Sequence, residues 1–212
     1  MQKYAALPNA ITLASAASAS TGLLYLGWTA TERALAVAML CLALSLLCDV
    51  LDGKLARALG VSSPLGAQLD SLADLLAFGL LPAFAMGKVL NPAGTPSWGV
   101  ALPCLAFILA ATLRLARYSQ QGLIRNRFGE CFQGLPSSVA AILLMTGVMA
   151  HQWLQQHGPW PDLALSGLAL ALAVAMNLSF PFPKRGIGFY PWLALVPGLL
   201  VNAWCRTLAA GL

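Results

Sequence analysis

Seven acidic side chains serve a chain of 212 residues, and four of them, Asp49, Asp52, Asp70 and Asp74, stand within "CDVLDGKLARALGVSSPLGAQLDSLAD", residues 48–74. Asp49 and Asp52 are spaced i,i+3 and Asp70 and Asp74 i,i+4, so on helices each pair shares a face, the first together with Ala56. The intervening "GVSSPLG" is turn-forming, and a link that short makes the flanking helices antiparallel neighbours with opposed carboxylates. Four carboxylates in one pocket repel one another unless cations intervene. Oxygen donors without His or Cys suit Mg²⁺ or Mn²⁺ rather than Zn²⁺, and a paired-metal site of this kind is a common device for phosphoryl chemistry. Two other accounts stay open. Asp49 and Asp52 could be buried in ion pairs with Lys54, Arg57 or the Arg114–Arg117 pair, or the acids could form the coupling site of a proton or cation transporter.

The elements that must carry these residues follow from composition. The chain is 59% hydrophobic and 9% charged, with mean hydropathy +0.76. That excludes the polar surface of a soluble domain. Apolar runs recur, each near the roughly 20 residues that cross a hydrocarbon core of about 30 Å. Reading for breaks predicts seven spans, near 7–28, 34–58, 67–88, 97–118, 135–155, 161–181 and 190–211. The expected fold is all-α: one polytopic transmembrane bundle over residues 1–212, with no repeat and no linker domain. Strands are excluded for the spans, which are too long and lack period-2 alternation. A mid-membrane aspartate costs roughly 2.5–3.5 kcal/mol, so acids near the span ends still demand compensation.

Basic residues orient the bundle. With the N-terminus inside, Lys3, Lys54, Arg57, Arg114, Arg117, Arg125, Arg127, Lys184 and Arg185 fall on the inner side, and Arg33, Lys88 and Arg206 on the outer. Trp28, Trp98, Trp153, Trp160 and Trp204 gather at the outer boundary, as an aromatic belt does. The net charge of +5 then reflects topology and anionic lipid contact. Scattered over short loops, these charges form no nucleic-acid surface. "LASAASAS" carries the small residues of a secretory cleavage site, but the apolar run continues through "TGLLYLGW", which favours a retained span. Cys41, Cys48, Cys104, Cys131 and Cys205 make no CxxC pair and read as small packing residues.

Residues 49–74 match the signature D-x2-D-G-x2-A-R-x8-G-x3-D-x3-D at all eight fixed positions: Asp49, Asp52, Gly53, Ala56, Arg57, Gly66, Asp70 and Asp74. The chain therefore resembles the CDP-alcohol phosphotransferases. "LDSLADLLAFGLLPA", "LRLARYS", "FQGLPSSVAA" and "MNLSFPFPK" look like the phosphatidylserine synthase branch, covering most of residues 7–185. The resemblance implies a six-helix catalytic core plus one further span. It implies transfer of the phosphatidyl group from CDP-diacylglycerol to L-serine with release of CMP, or to another alcohol such as choline, glycerol phosphate or an inositol-type polyol. It implies a pair of Mg²⁺ or Mn²⁺ ions on Asp49, Asp52 and Asp70, with Asp74 sharing in ligation and acting as general base. The CDP moiety would lie against Asp49, Gly53, Ala56, Arg57 and Gly66. A homodimer, and a place in the cell membrane of a bacterium or archaeon with the site facing the cytoplasm, belong to the same expectation.

Some residues carry weaker signals. Arg114 and Arg117, i,i+3 at a span end, suit the acceptor carboxylate or a phosphate, or else snorkel to headgroups. Arg125, Arg127, Lys184 and Arg185 read as topology and lipid contacts. Gly134, Pro136, Ser137 and Ser138 either shape an acceptor pocket or simply start a helix. His151 and His157 read as outer loop histidines with no catalytic part.

Overall fold

In a computed structural model the described residues are 2–183, apart from connecting positions 30, 62, 95, 96, 122, 123, 127, 128 and 155–158, together with 198, 201 and 205. Those last three aside, the seventh span expected near 190–211 lies outside the described residues, as do His157, Lys184, Arg185 and Trp204. The elements run α1 (Gln2–Trp28), α2 (Thr31–Leu59), α3 (Pro64–Asp74), a π-helical stretch (Leu75–Leu80), α4 (Leu81–Leu90), α5 (Trp98–Gln121), β1 (Ile124–Asn126), β2 (Gly129–Gln133), α6 (Ser137–Leu154), α7 (Trp160–Asn177) and β3 (Pro181–Pro183). Asp74 and Leu81, at the two joins of the π-helical stretch, keep right-handed helical dihedrals, so α3 to α4 is one continuous rod. Six helices among the described residues are long and apolar enough to cross a membrane, the third over Pro64–Leu90. They coincide with the first six expected spans to within a few residues at each end, the usual uncertainty of helix boundaries.

The segment between α5 and α6, expected only as a polar break, contains a hairpin. β1 pairs antiparallel with β2, and β2 with β3, giving the order β1-β2-β3. The spans remain helical because lipid leaves backbone groups no partner outside their own segment. The strands form only in the connections.

α1 and α2 pack along their length through small residues. Ala19 and Ala38 are fully buried, and Ser15 and Ser45 each donate a side-chain hydrogen bond to the other's backbone carbonyl, at 3.4 and 3.1 Å. Ser18 donates to the Cys41 carbonyl at 3.1 Å. In lipid, where burial of apolar surface supplies little drive, close approach and such bonds at roughly 0.6 kcal/mol each hold helices together. The Ala/Ser run of α1 is thus spent on packing. Phe78, Phe107, Leu35, Met39 and Met86 fill the centre.

The alternation of the helices sorts residues to two ends. One carries Trp28, Trp98 and Trp153, each more than 70% exposed, and Trp160 at 48%. The other gathers the start of α1, the end of α2, the start of α3, the end of α5, the start of α6 and the end of α7. All four aspartates lie toward this second end. His151 departs from its loop expectation: it sits in α6, 2% exposed, with Nε2 2.5 Å from Oδ1 of Asp162 on α7. At the Trp-bearing end it still has no part in the aspartate site.

Gly134 fixes the approach to α6. Its φ is +74°, and a Cβ there would sit 2.7 Å from the carbonyl oxygens of Met176 and Leu178. Gly134→Ala therefore meets both left-handed strain and backbone overlap that no rotamer relieves. The expected cost is about 2 kcal/mol or more, read as a lower melting midpoint of the purified protein; an unchanged midpoint would contradict the close approach.

Candidate active site

The link between α2 and α3 is built by local chemistry. Gly60, at φ +63°, closes α2: its N–H donates to the Arg57 carbonyl at 3.4 Å, and the Val61 N–H donates to that of Ala56 at 3.1 Å. This is the paired-bond ending that glycine favours. Ser63 then caps α3, its Oγ accepting from the Gly66 N–H at 3.0 Å, with Pro64 at the first helical position. The turn brings the two signature helices together at a defined depth.

Across that turn Asp49, Asp70 and Asp74 converge, each half-buried, with one carboxylate oxygen apiece all within 4.8 Å of one another. A set of hard anionic donors this tight fits a divalent cation. Asp52, 7% exposed, stands outside that trio and accepts from Thr12 Oγ1 on α1 at 2.6 Å. Beside it opens a cavity of 190 Å³, lined by Asp52, Gly53, Ala56, Gly66 and Asp70 of the signature, by Val61, Ser63 and Ala67, and by Pro8, Asn9 and Thr12 of α1. At Gly66 the small residue has a geometric reason. A Cβ on Gly66 would stand 2.9 Å from Asn9 Oδ1 and 3.1 Å from Ser63 Oγ, whereas one on Gly53 would make only an ordinary contact, 3.6 Å from the Arg57 guanidinium. Asp70 belongs to both the cavity and the carboxylate trio.

Arg114 and Arg117 lie toward the end of α5. Arg114 is 8% exposed and donates from Nη1 to Ser137 Oγ at 3.1 Å. Its charge lies within interaction range of Asp74. Arg117 is exposed and donates to the side-chain and backbone oxygens of Asn177, whose Nδ2 in turn donates to the carbonyls of Ala110 and Ala173 at 3.2 and 3.1 Å. Arg114 and Arg117 thus reach α6 and α7 respectively. The side chains of Arg125 and Arg127 lie outside what is described.

Pro8, Asn9 and Thr12 went unnoticed in the sequence as site residues. Their one signal was the polar pair Asn9 and Thr12 inside an apolar span, where ionisable and polar groups default to function.

Comparison with known proteins adds three findings. The family model for CDP-alcohol phosphatidyltransferases matches residues 5–179. A CDP-diacylglycerol–serine O-phosphatidyltransferase of Mycobacterium bovis is 32% identical over 160 residues, 74% of this chain and 53% of that protein. One of the same name from Methanocaldococcus jannaschii is 37% identical over 102 residues, 48% of this chain and 45% of that one. The chain thus spans about half the length of these curated relatives. Among solved structures, Mycobacterium tuberculosis phosphatidylinositol phosphate synthase in complex with manganese and citrate is similar, with TM-score 0.55, 20% identity, and coverage of 93% of this chain and 82% of that one. At that identity the likeness is one of fold.

Proposed function

The chain belongs to the CDP-alcohol phosphatidyltransferase family, and on that premise we propose that it transfers the phosphatidyl group of CDP-diacylglycerol to the hydroxyl of L-serine, releasing CMP. The observation that carries the reading is the convergence of Asp49, Asp70 and Asp74 beside a cavity lined by Gly53, Ala56 and Gly66. The serine-specific names of the relatives support the acceptor.

In this reading Asp49, Asp52, Asp70 and Asp74 would hold a pair of Mg²⁺ or Mn²⁺ ions, whose contribution when bound is to neutralise the pyrophosphate and the departing CMP. The cavity receives the CDP head against Gly53, Ala56 and Gly66, where absent side chains let it approach the helix backbone. Arg57, folded back near Gly53, offers a charge-assisted hydrogen bond to a phosphate oxygen. Asp74 accepts the serine hydroxyl proton as that oxygen bonds to the phosphorus bearing diacylglycerol and the bond to CMP breaks. Arg114 and Arg117 receive the acceptor carboxylate or a phosphate. Acyl chains stay in lipid, and the nucleotide enters from the end rich in Lys and Arg, which the positive-inside rule makes cytoplasmic.

The test is CMP release by purified protein given CDP-diacylglycerol and, in turn, L-serine, choline, glycerol phosphate and inositol. Serine-dependent release is expected. Release that follows choline or glycerol phosphate and ignores serine overturns the acceptor assignment. Cation flux in proteoliposomes without any nucleotide, and no CMP release, would return the transporter reading.

A further inference from the structure

The hydrogen bond between Arg114 and Ser137 has no part in the reading above beyond placing an arginine near the site. Ser137 is the first residue of α6 and 4% exposed, and its hydroxyl accepts from a side chain 23 positions earlier. A helix start alone explains Gly134 and Pro136; it does not explain a buried hydroxyl turned toward α5. The residue is also held rigidly. The Gly134 N–H donates to the Phe180 carbonyl at 2.9 Å and the Leu135 N–H to that of Ala175 at 3.1 Å, which pins the entry to α6 onto the end of α7.

The order of groups across the site gives this bond its meaning. Asp70 lines the cavity, and Asp74, whose carboxylate lies within 4.8 Å of that of Asp70, is within charge-interaction range of Arg114. An acceptor whose hydroxyl meets Asp74 has its remaining groups beside Arg114. A guanidinium matches a carboxylate through two parallel N–H donors, and that match depends on the orientation of its plane.

We propose that Ser137 is a positioning residue for acceptor recognition, setting the plane of the Arg114 guanidinium so that it receives the carboxylate of an amino-acid acceptor. The proposal rests on the assignment of Asp74 to the acceptor hydroxyl. It would give selectivity for serine over an alcohol of the same size that lacks the carboxylate, which nothing in the signature itself provides.

The experiment compares L-serine with serinol, the same molecule with its carboxylate reduced to an alcohol, in wild type, Ser137→Ala and Ser137→Thr. In Ser137→Ala the KM for L-serine is expected to rise about tenfold, the kcat/KM preference for serine over serinol to fall by about the same factor, and the KM for CDP-diacylglycerol to stay within about twofold. Ser137→Thr, which keeps a hydroxyl, restores the preference. In a readout independent of turnover, the thermal shift produced by L-serine in the presence of CMP shrinks in the alanine variant and returns in the threonine one. Should alanine unfold the protein, Ser137→Cys, close in volume and a weak acceptor, is expected to lose the preference in the same way. Equal losses with serine and serinol, or a matching rise in KM for CDP-diacylglycerol, overturn the positioning role while leaving the proposed reaction standing. A wild-type protein that releases CMP with other alcohols but ignores serine removes the reading beneath it, and the proposal falls too.

Discussion

Asp74→Asn is expected to lower CMP release by roughly 10³-fold, in the range that removal of a positioned general base produces. The substitution keeps side-chain volume and removes only the anion, so packing around the π-helical stretch that follows Asp74 is preserved. In the proposed reaction two functions are lost together: the proton acceptor for the attacking hydroxyl and one of three converging carboxylates. They separate by comparison. Asp49→Asn and Asp70→Asn also lose a donor oxygen but keep Asp74, so raising Mg²⁺ or Mn²⁺ should recover part of their activity and none of that lost in Asp74→Asn. The check is the rate of CMP release against metal concentration for all three variants, beside a melting curve for each. Retention of more than about a tenth of wild-type activity in Asp74→Asn would remove Asp74 from the role of base.

How much of this arrangement could be read from the sequence depends on how local its cause is. The α2–α3 junction was readable because Gly60, Ser63 and Pro64 determine it within a few residues, through a left-handed ending, a cap and a helix start. Given that junction, the i,i+3 and i,i+4 spacings bring Asp49, Asp70 and Asp74 together almost without reference to the rest of the bundle. Asp52 was another matter. Its partner Thr12 lies 40 positions away, and the rotation of α1 against α2 decides that pairing. Lipid erases the usual cue for rotation, since a helix face turned to acyl chains is as apolar as one turned to the core. In α2 the exposed Leu40, Leu44, Leu47 and Leu51 and the buried Leu35, Leu42 and Leu46 are the same residue type. The π-helical stretch, the bond from Arg114 to Ser137 and the burial of His151 against Asp162 are likewise products of interhelical packing. The β1–β2 hairpin and its pairing with β3 escaped for a different reason: a short strand whose partner lies beyond two membrane helices leaves no periodic pattern.

Removing divalent ions is expected to abolish CMP release, with Mg²⁺ or Mn²⁺ restoring it, and the carboxylate geometry makes a second, less obvious prediction about stability. Two unit charges at the separation of these oxygens, up to 4.8 Å, repel by about 3–4 kcal/mol at an effective dielectric constant of about 20. With two or more of these carboxylates ionised, the metal-free fold holds an unfavourable charge cluster that the unfolded chain disperses. A cation binding only the folded state adds stability as its concentration exceeds Kd, about 2.7 kcal/mol at one hundred times Kd. Asp70→Asn should act with opposite sign in the two conditions. Without metal it relieves repulsion, and the variant is expected to melt higher than wild type. With metal it has lost a donor, and the upward shift produced by Mn²⁺ is expected to shrink. Melting curves in chelator and across a Mn²⁺ titration measure both, independently of catalysis. If Asp70→Asn melted lower than wild type in chelator and gained as much from Mn²⁺, the three carboxylates would not be a cation site, and the proposed chemistry would lose the charge neutralisation it depends on.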